Sequence, residues 1–203
     1  AYKMFYQSNI ALTRLQKTES YAAVIRNASK FILEKSSTNP LYPPFLLIRA
    51  QAYENTNQWF LAMDDYVNIV RKFTADSSAI EAIIGATELL KKAGRHSEAI
   101  ELHHIYASQH GDDPGIAEQW LEICSEMFQQ GKYKLVVPEL VRLIQEFPSY
   151  GQSDALNYML GISTYHTKDF GNALIYLKRS QQGVIYANKA QWTIALIYEE
   201  QKH

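Results

Sequence analysis

The stretch Trp120 to Pro148, WLEICSEMFQQGKYKLVVPELVRLIQEFP, decides how this chain folds. A bulky Trp120 is followed four places on by the small Cys124, then by Gly131 where a turn is due, by Tyr133 just after it, and by an apolar run ending at Phe147-Pro148. Apolar residues recur at helical spacing on both sides of Gly131, so the stretch reads as two antiparallel helices joined by a tight turn.

Similar stretches precede and follow it. Aligned on the place where a first helix approaches its neighbour, the anchors are Leu12, Ala50, Thr87, Cys124, Gly161 and Ala195, separated by 38, 37, 37, 37 and 34 residues. Such regularity marks a repeat array, with units at about residues 5–38, 44–75, 78–110, 113–148 and 153–182, and a lone first helix at 185–201.

The units can be followed residue by residue. In the first, a turn at Lys17-Thr18-Glu19 leads to Ser20, placed to cap the next helix through its hydroxyl, and Tyr21, Val24, Ala28 and Phe31 fall at helical spacing. In the second, Pro43-Pro44 suit a first helical turn, Leu46, Ala50 and Tyr53 share a face, Asn57 is placed to cap, and Trp59, Ala62, Tyr66, Ile69 and Phe73 form the stripe of the return helix. The third turns at Ala93-Gly94-Arg95. The fourth opens on Asp113-Pro114, and Pro138 inside its return helix predicts a kink or a late start. No stretch alternates with period two for long enough to make a sheet. The fold class that follows is all-α: a right-handed α-solenoid of about five and a half antiparallel helix-pair repeats, in a single domain over residues 1–203.

Composition narrows the function classes. With 47% hydrophobic and 20% charged residues the 203-residue chain can bury a substantial core. Its net charge is −1 and no Lys/Arg stripe is present, which argues against a nucleic-acid partner. Residues 1–75 hold 9 basic and 5 acidic side chains and the remainder 11 and 16, a mild polarity. No apolar run approaches the ~20 residues of a membrane-spanning helix. The start at Ala1 shows no charged leader or cleavage site and reads as a mature or trimmed beginning, and the single Cys124 excludes an internal disulfide.

The motifs resemble tetratricopeptide repeats, the resemblance being carried by Trp120, Ile123, Cys124, Gly131, Tyr133 and Pro148, and again by Leu160, Gly161, Tyr165, Phe170 and Ala173. The 37-residue spacings and the junction QEFPSYGQSDALNYMLG are similar to arrays of bacterial envelope proteins, such as outer-membrane assembly lipoproteins and periplasmic cell-division coordinators. The junction from Phe147 to Ser153 carries that pattern fully, while no lipidated N-terminal Cys is present and Pro138 is unusual for it. The resemblance implies a non-enzymatic protein-binding scaffold or adaptor without cofactor, envelope-associated or periplasmic, with a cytoplasmic scaffold or regulator as the alternative.

In such an array the exposed faces of the first helices line a groove. They present Asn9, Thr13, Gln16 and Lys17; then Leu47, Gln51, Glu54 and Asn55; then Ile84, Glu88, Lys91 and Lys92; and the lining turns aromatic toward the C-terminal side, at Leu121, Phe128, Tyr158, Ile162, Tyr165 and Trp192. The expected ligand of that strip is an amphipathic helix or extended segment of another protein. Places where some family members hold a peptide carboxylate with Lys, Arg and Asn carry Leu, Ile, Tyr, Gln and Glu here. Trp192 and Leu196 have a competing reading as ordinary contacts left open by a missing next helix.

A metal-assisted enzyme using His96, His103 and His104 is the rival class, since His96 and His103 share a helical face. His96 occupies the packing place of Tyr133 and Phe170, however, and no further ligand arrives at metal-site spacing. Cys124 takes the small buried place of Gly161, and the adjacent pairs Asp64-Asp65 and Asp112-Asp113 diverge by about 100° around a helix, so neither forms an acid/base dyad. The sequon-like Asn27-Ala28-Ser29 lies within a predicted helix.

Overall fold

The computed structural model describes residues 20–111 and 113–202. The first helix of unit one, its anchor Leu12, the turn at Lys17 to Glu19, the groove places Asn9 to Lys17, and Asp112 lie outside the described residues. Among those described there are ten α-helices and no strand. They are α1 (Tyr21–Glu34), α2 (Tyr42–Asn55), α3 (Trp59–Lys72), α4 (Ser78–Lys92), α5 (His96–His110), α6 (Pro114–Gln129), α7 (Tyr133–Glu146), α8 (Asp154–His166), α9 (Phe170–Ser180) and α10 (Ala187–Glu200), with a 3-10 helix at Pro148–Gln152. Helices adjacent in the chain pack against one another from α1 to α4 and again from α6 to α10, giving an all-α fold of the helical-repeat solenoid class. Two compact units divide the chain at residues 1–109 and 110–203.

The turns show why the period is so regular. Asn57, Gly94, Gly131 and Lys168 all adopt positive φ, at 58°, 72°, 72° and 65°, and each is 37 residues from the next. A left-handed residue ends the first helix and reverses the chain, so the return helices begin in the same register at Trp59, His96, Tyr133 and Phe170. Glycine meets this demand without strain, asparagine tolerates it, and lysine pays the ordinary steric cost of an L side chain. Asn57 is therefore the reversing residue and not the cap; Gln58 stands at the N-cap of α3 and makes no side-chain bond there.

Caps differ along the chain. Asp113, Ser153 and Asp169 accept from the amides of Gly115, Leu156 and Asn172, which meets part of the hydrogen-bond demand of the first turn. Ser20 holds the N-cap place of α1 in an extended conformation, but its carbonyl, not its hydroxyl, receives the amides of Ala23 and Val24, at 2.8 and 3.1 Å. Pro138 does not delay its helix: α7 begins at Tyr133 and runs through to Glu146. Both Pro138 and Lys134 are exposed, so the carbonyl that the missing N–H leaves unbonded lies on the solvent side.

The first helix and the return helix approach closely at the anchor. Ala50 and Cys124 are fully buried there, Thr87 nearly so, and at Gly161 an added Cβ would lie 2.6 Å from Leu177 Cγ. Ala195 is exposed, because no return helix among the described residues packs on α10. Leu46, Ile69, Ile83, Leu90, Ile100 and Leu102 fill the core of residues 1–109. In residues 110–203 Trp120 packs edge-on against Phe147 at 6.4 Å, and Ile123, Met127, Leu140 and Leu143 are fully buried as well. Tyr21 and Trp59 do not join the stripes assigned to them: both are at least 44% exposed, since first-turn side chains lean beyond the helix end.

A part-buried ion pair joins α2 to α3. Arg49 on α2 donates from Nε and a terminal nitrogen to both oxygens of Asp65 on α3, at 2.8 and 2.7 Å, and its other nitrogen reaches Ser29 Oγ on α1 at 3.2 Å. Burial pushes the Asp65 carboxyl up and the hydrogen bond from Arg49 pulls it back, while the same bond raises Arg49.

Two outcomes follow. Arg49→Met leaves Asp65 buried without its partner and is expected to cost about 3 kcal/mol in urea unfolding, with most of that recovered in the double variant Arg49→Met, Asp65→Leu. At the turns, Gly94→Ala meets nothing within 4 Å, so conformational strain alone should cost about 1 kcal/mol, whereas Asn57→Gly should raise the melting temperature.

Candidate interaction surface

In residues 110–203 the first helices lie side by side, α8 touching both α6 and α10. Tyr158, Ile162 and Tyr165, at i, i+4 and i+7 on α8, are half-buried: together with Phe170, Leu174 and Ile194 they pack on the buried cluster of Ala173, Leu177, Ala190 and Ile197. One edge of each side chain thus holds α8 against α9 and α10, and the other edge stays open. Leu121 and Phe128 on α6 are likewise half-buried, and Trp192 on α10 is 71% exposed.

The ring contacts show what has already been engaged. Phe128 meets Tyr133 edge-on at 5.6 Å, Tyr133 stacks on His166 at 4.2 Å and 3°, and Tyr165 contacts both His166 and Phe170. Tyr165 donates its hydroxyl to Glu200 at 2.6 Å, and Lys168 donates to the other oxygen of that carboxylate at 2.7 Å while lying over the Tyr165 and Phe170 rings. The hydrogen bond to Glu200 raises the Tyr165 hydroxyl, and the bond from Lys168 holds the Glu200 carboxyl low. Phe128 and Tyr165 therefore belong to an aromatic ladder along the turns, whereas Tyr158, which stacks on Tyr186 at 4.8 Å, lies nearer the middle of its helix.

Tyr133, Lys168, Phe170 and Glu200 were not singled out from sequence as parts of this surface, whereas His166 was projected into it beside Tyr165. Their common signal is the repeat register, which sets Tyr133 and Phe170 at equivalent places after the reversing residue. A cavity of about 300 Å³ lies on the same edge, lined by residues 131–135, His166 and Thr167.

The earlier groove places in residues 1–109 are more polar. Leu47 is buried, which corrects its assignment as a projecting side chain: it faces the neighbouring helices of α2. Gln51 donates to Glu81 at 3.2 Å, Tyr66 donates to Glu54 at 3.0 Å, and Lys91 reaches Glu88 at 3.6 Å. Ile84 is partly exposed beside them.

Two of the unit-three histidines, His96 and His103, are engaged with backbone. His103 is fully buried with Nδ1 2.8 Å from the Ala99 carbonyl, and His96 is buried with Nδ1 3.1 Å from the Gly94 carbonyl. Among the described residues no three His, Cys, Asp or Glu side chains come together as a metal site, and no helix is long and apolar enough to cross a membrane.

No family model matches the chain. None of the curated proteins matches it. Sixteen chains of solved structures do. One is the crystal structure of MamA, at a TM-score of 0.48 and 17% identity, covering 75% of this chain and 84% of that one. What the chain itself shows is an array of antiparallel helix pairs in a 37-residue register.

Cys124 sits at the fully buried anchor of α6, where burial, reinforced by the charge of Glu139, pushes its thiol well above the ordinary cysteine range. It should resist a disulfide reagent in the native protein and react only as fast as residues 110–203 open, so that urea accelerates labelling in step with loss of helicity.

Proposed function

We propose that this chain is a non-enzymatic adaptor that binds a peptide or helix of another protein on the first-helix face of residues 110–203. The observation that carries the reading is Trp192, 71% exposed on the helix next to the half-open row of Tyr158, Ile162 and Tyr165. Large rings with few rotatable bonds contribute contact area at low entropic cost, and Trp and Tyr are the side chains that dominate protein interfaces. Leu121 and Phe128 extend the apolar strip onto α6. The partner is a protein and not a nucleic acid, because the strip offers aromatic and aliphatic side chains in place of the lysines and arginines that phosphate recognition uses.

A bacterial envelope setting is the finer part of this reading. It rests on the resemblance of the Phe147 to Ser153 junction, which forms the 3-10 helix capped onward by Ser153. Cell fractionation of the native protein separates it from a cytoplasmic scaffold.

The test is selection of binding peptides from a displayed library on the purified chain, followed by fluorescence anisotropy with the selected sequence. Trp192→Ala should weaken binding roughly tenfold or more, and Ile162→Glu should abolish it, with helicity and melting temperature near wild type for Trp192→Ala. Peptides that bind both variants as they bind the wild type would remove this face as the site.

A further inference from the structure

Trp59, Phe60 and Leu61 open α3, and they are 44%, 81% and 48% exposed. Side chains of a helix lean toward its N-terminus, so in the first turn these three project past the helix end, away from the core. The repeat register supplies an internal comparison. Phe60, Ser97, Lys134 and Gly171 each stand second in a return helix, so a large apolar side chain there is no requirement of the turn.

The flank of this tip is cationic. Residues 56–61 carry no charge, and the neighbouring turn, residues 88–98, carries Lys91, Lys92 and Arg95 against Glu88 and Glu98, Lys91 pairing with Glu88 and Arg95 with Glu98. Lys92 Nζ lies 5.8 Å from the Trp59 ring centre. Arg95 reaches Met63 Sδ at 3.5 Å while its guanidinium holds Glu98 at 2.6 Å.

We propose that this tip docks on an anionic bilayer surface, with Phe60 and Leu61 entering the acyl boundary, Trp59 at headgroup depth, and Lys92 and Arg95 against lipid phosphates. Its shape favours that occupant. A protruding apolar wedge needs a matching cavity in a folded partner, whereas lipid yields around it. The indole ring suits the interface, the long cationic side chains keep their stems on apolar surface and their heads in water, and the net positive flank complements anionic headgroups. The site is separate from the face of residues 110–203 and does not depend on that reading.

The experiment is flotation of the full chain with vesicles of phosphatidylcholine plus phosphatidylserine, and with phosphatidylcholine alone. The wild type should float with the anionic vesicles, less so in high salt, and its tryptophan emission should shift to the blue, a shift that Trp59→Phe removes. Phe60→Ser, the residue at this place in the next repeat, should weaken association roughly tenfold or more. Leu61→Asn, matching Asn172 at the equivalent place, gives a second variant with melting temperature as the check on folding. Failure of the wild type to bind anionic vesicles, or binding by both variants equal to wild type, overturns the proposal. So does a lipid-free dimer that Phe60→Ser dissociates, which would assign the tip to a protein contact.

Discussion

The close approach of a return helix to the small residue of its first helix is the contact on which the rest depends. At Gly161 the approach is tight enough that a Cβ would lie 2.6 Å from Leu177, and Ala50 and Cys124 are fully buried at the same place. That approach needs the chain to reverse within a few residues, which the left-handed residues at 57, 94, 131 and 168 supply. With both conditions met, each return helix covers one side of its first helix, and the other side is left to the neighbouring first helices and to ligands.

On this common frame the two units hold their helices together with different chemistry. Arg49 and Asp65 form a bidentate buried pair across α2 and α3, yet the equivalent places in the next repeat are the buried apolar residues Ala86 and Leu102. The repeat fold therefore does not require the pair. A buried ion pair stabilises little over a well-packed apolar substitute but penalises any packing that separates its members. Residues 110–203 use aromatic contacts instead, the edge-on packing of Trp120 and Phe147 in the core and the ladder from Phe128 to Phe170 along the turns.

That ladder changes how the open face is understood. Tyr165 has its hydroxyl on Glu200 and its ring under Lys168, so its first role is to join α8 to α10. Tyr158 and Ile162 combine packing with an open edge, and Trp192 is mostly open. A strip of this kind is positioned by its own core contacts, which lowers the ordering cost when a partner arrives.

The helix pairs, most of their turns and the 37-residue period were legible in the sequence because each is local: helical periodicity, Gly at the reversing places 94 and 131, and Pro at a helix start act over a few residues, whereas Asn57 read as a cap and Lys168 gave no signal. Burial of Trp120, Cys124, Gly161 and Leu160 followed from the same patterns. Exposure did not, since it is set by residues far away in the chain. Tyr165 acquires partners from α10, Leu47 is covered by neighbouring helices, Ala195 lies open where no described return helix packs on α10, and Trp59 leans off the end of α3. The sequence by itself determined which segments are helices and where they reverse; only the tertiary structure decided which side chains those helices consume in holding one another and which they leave for something else to touch.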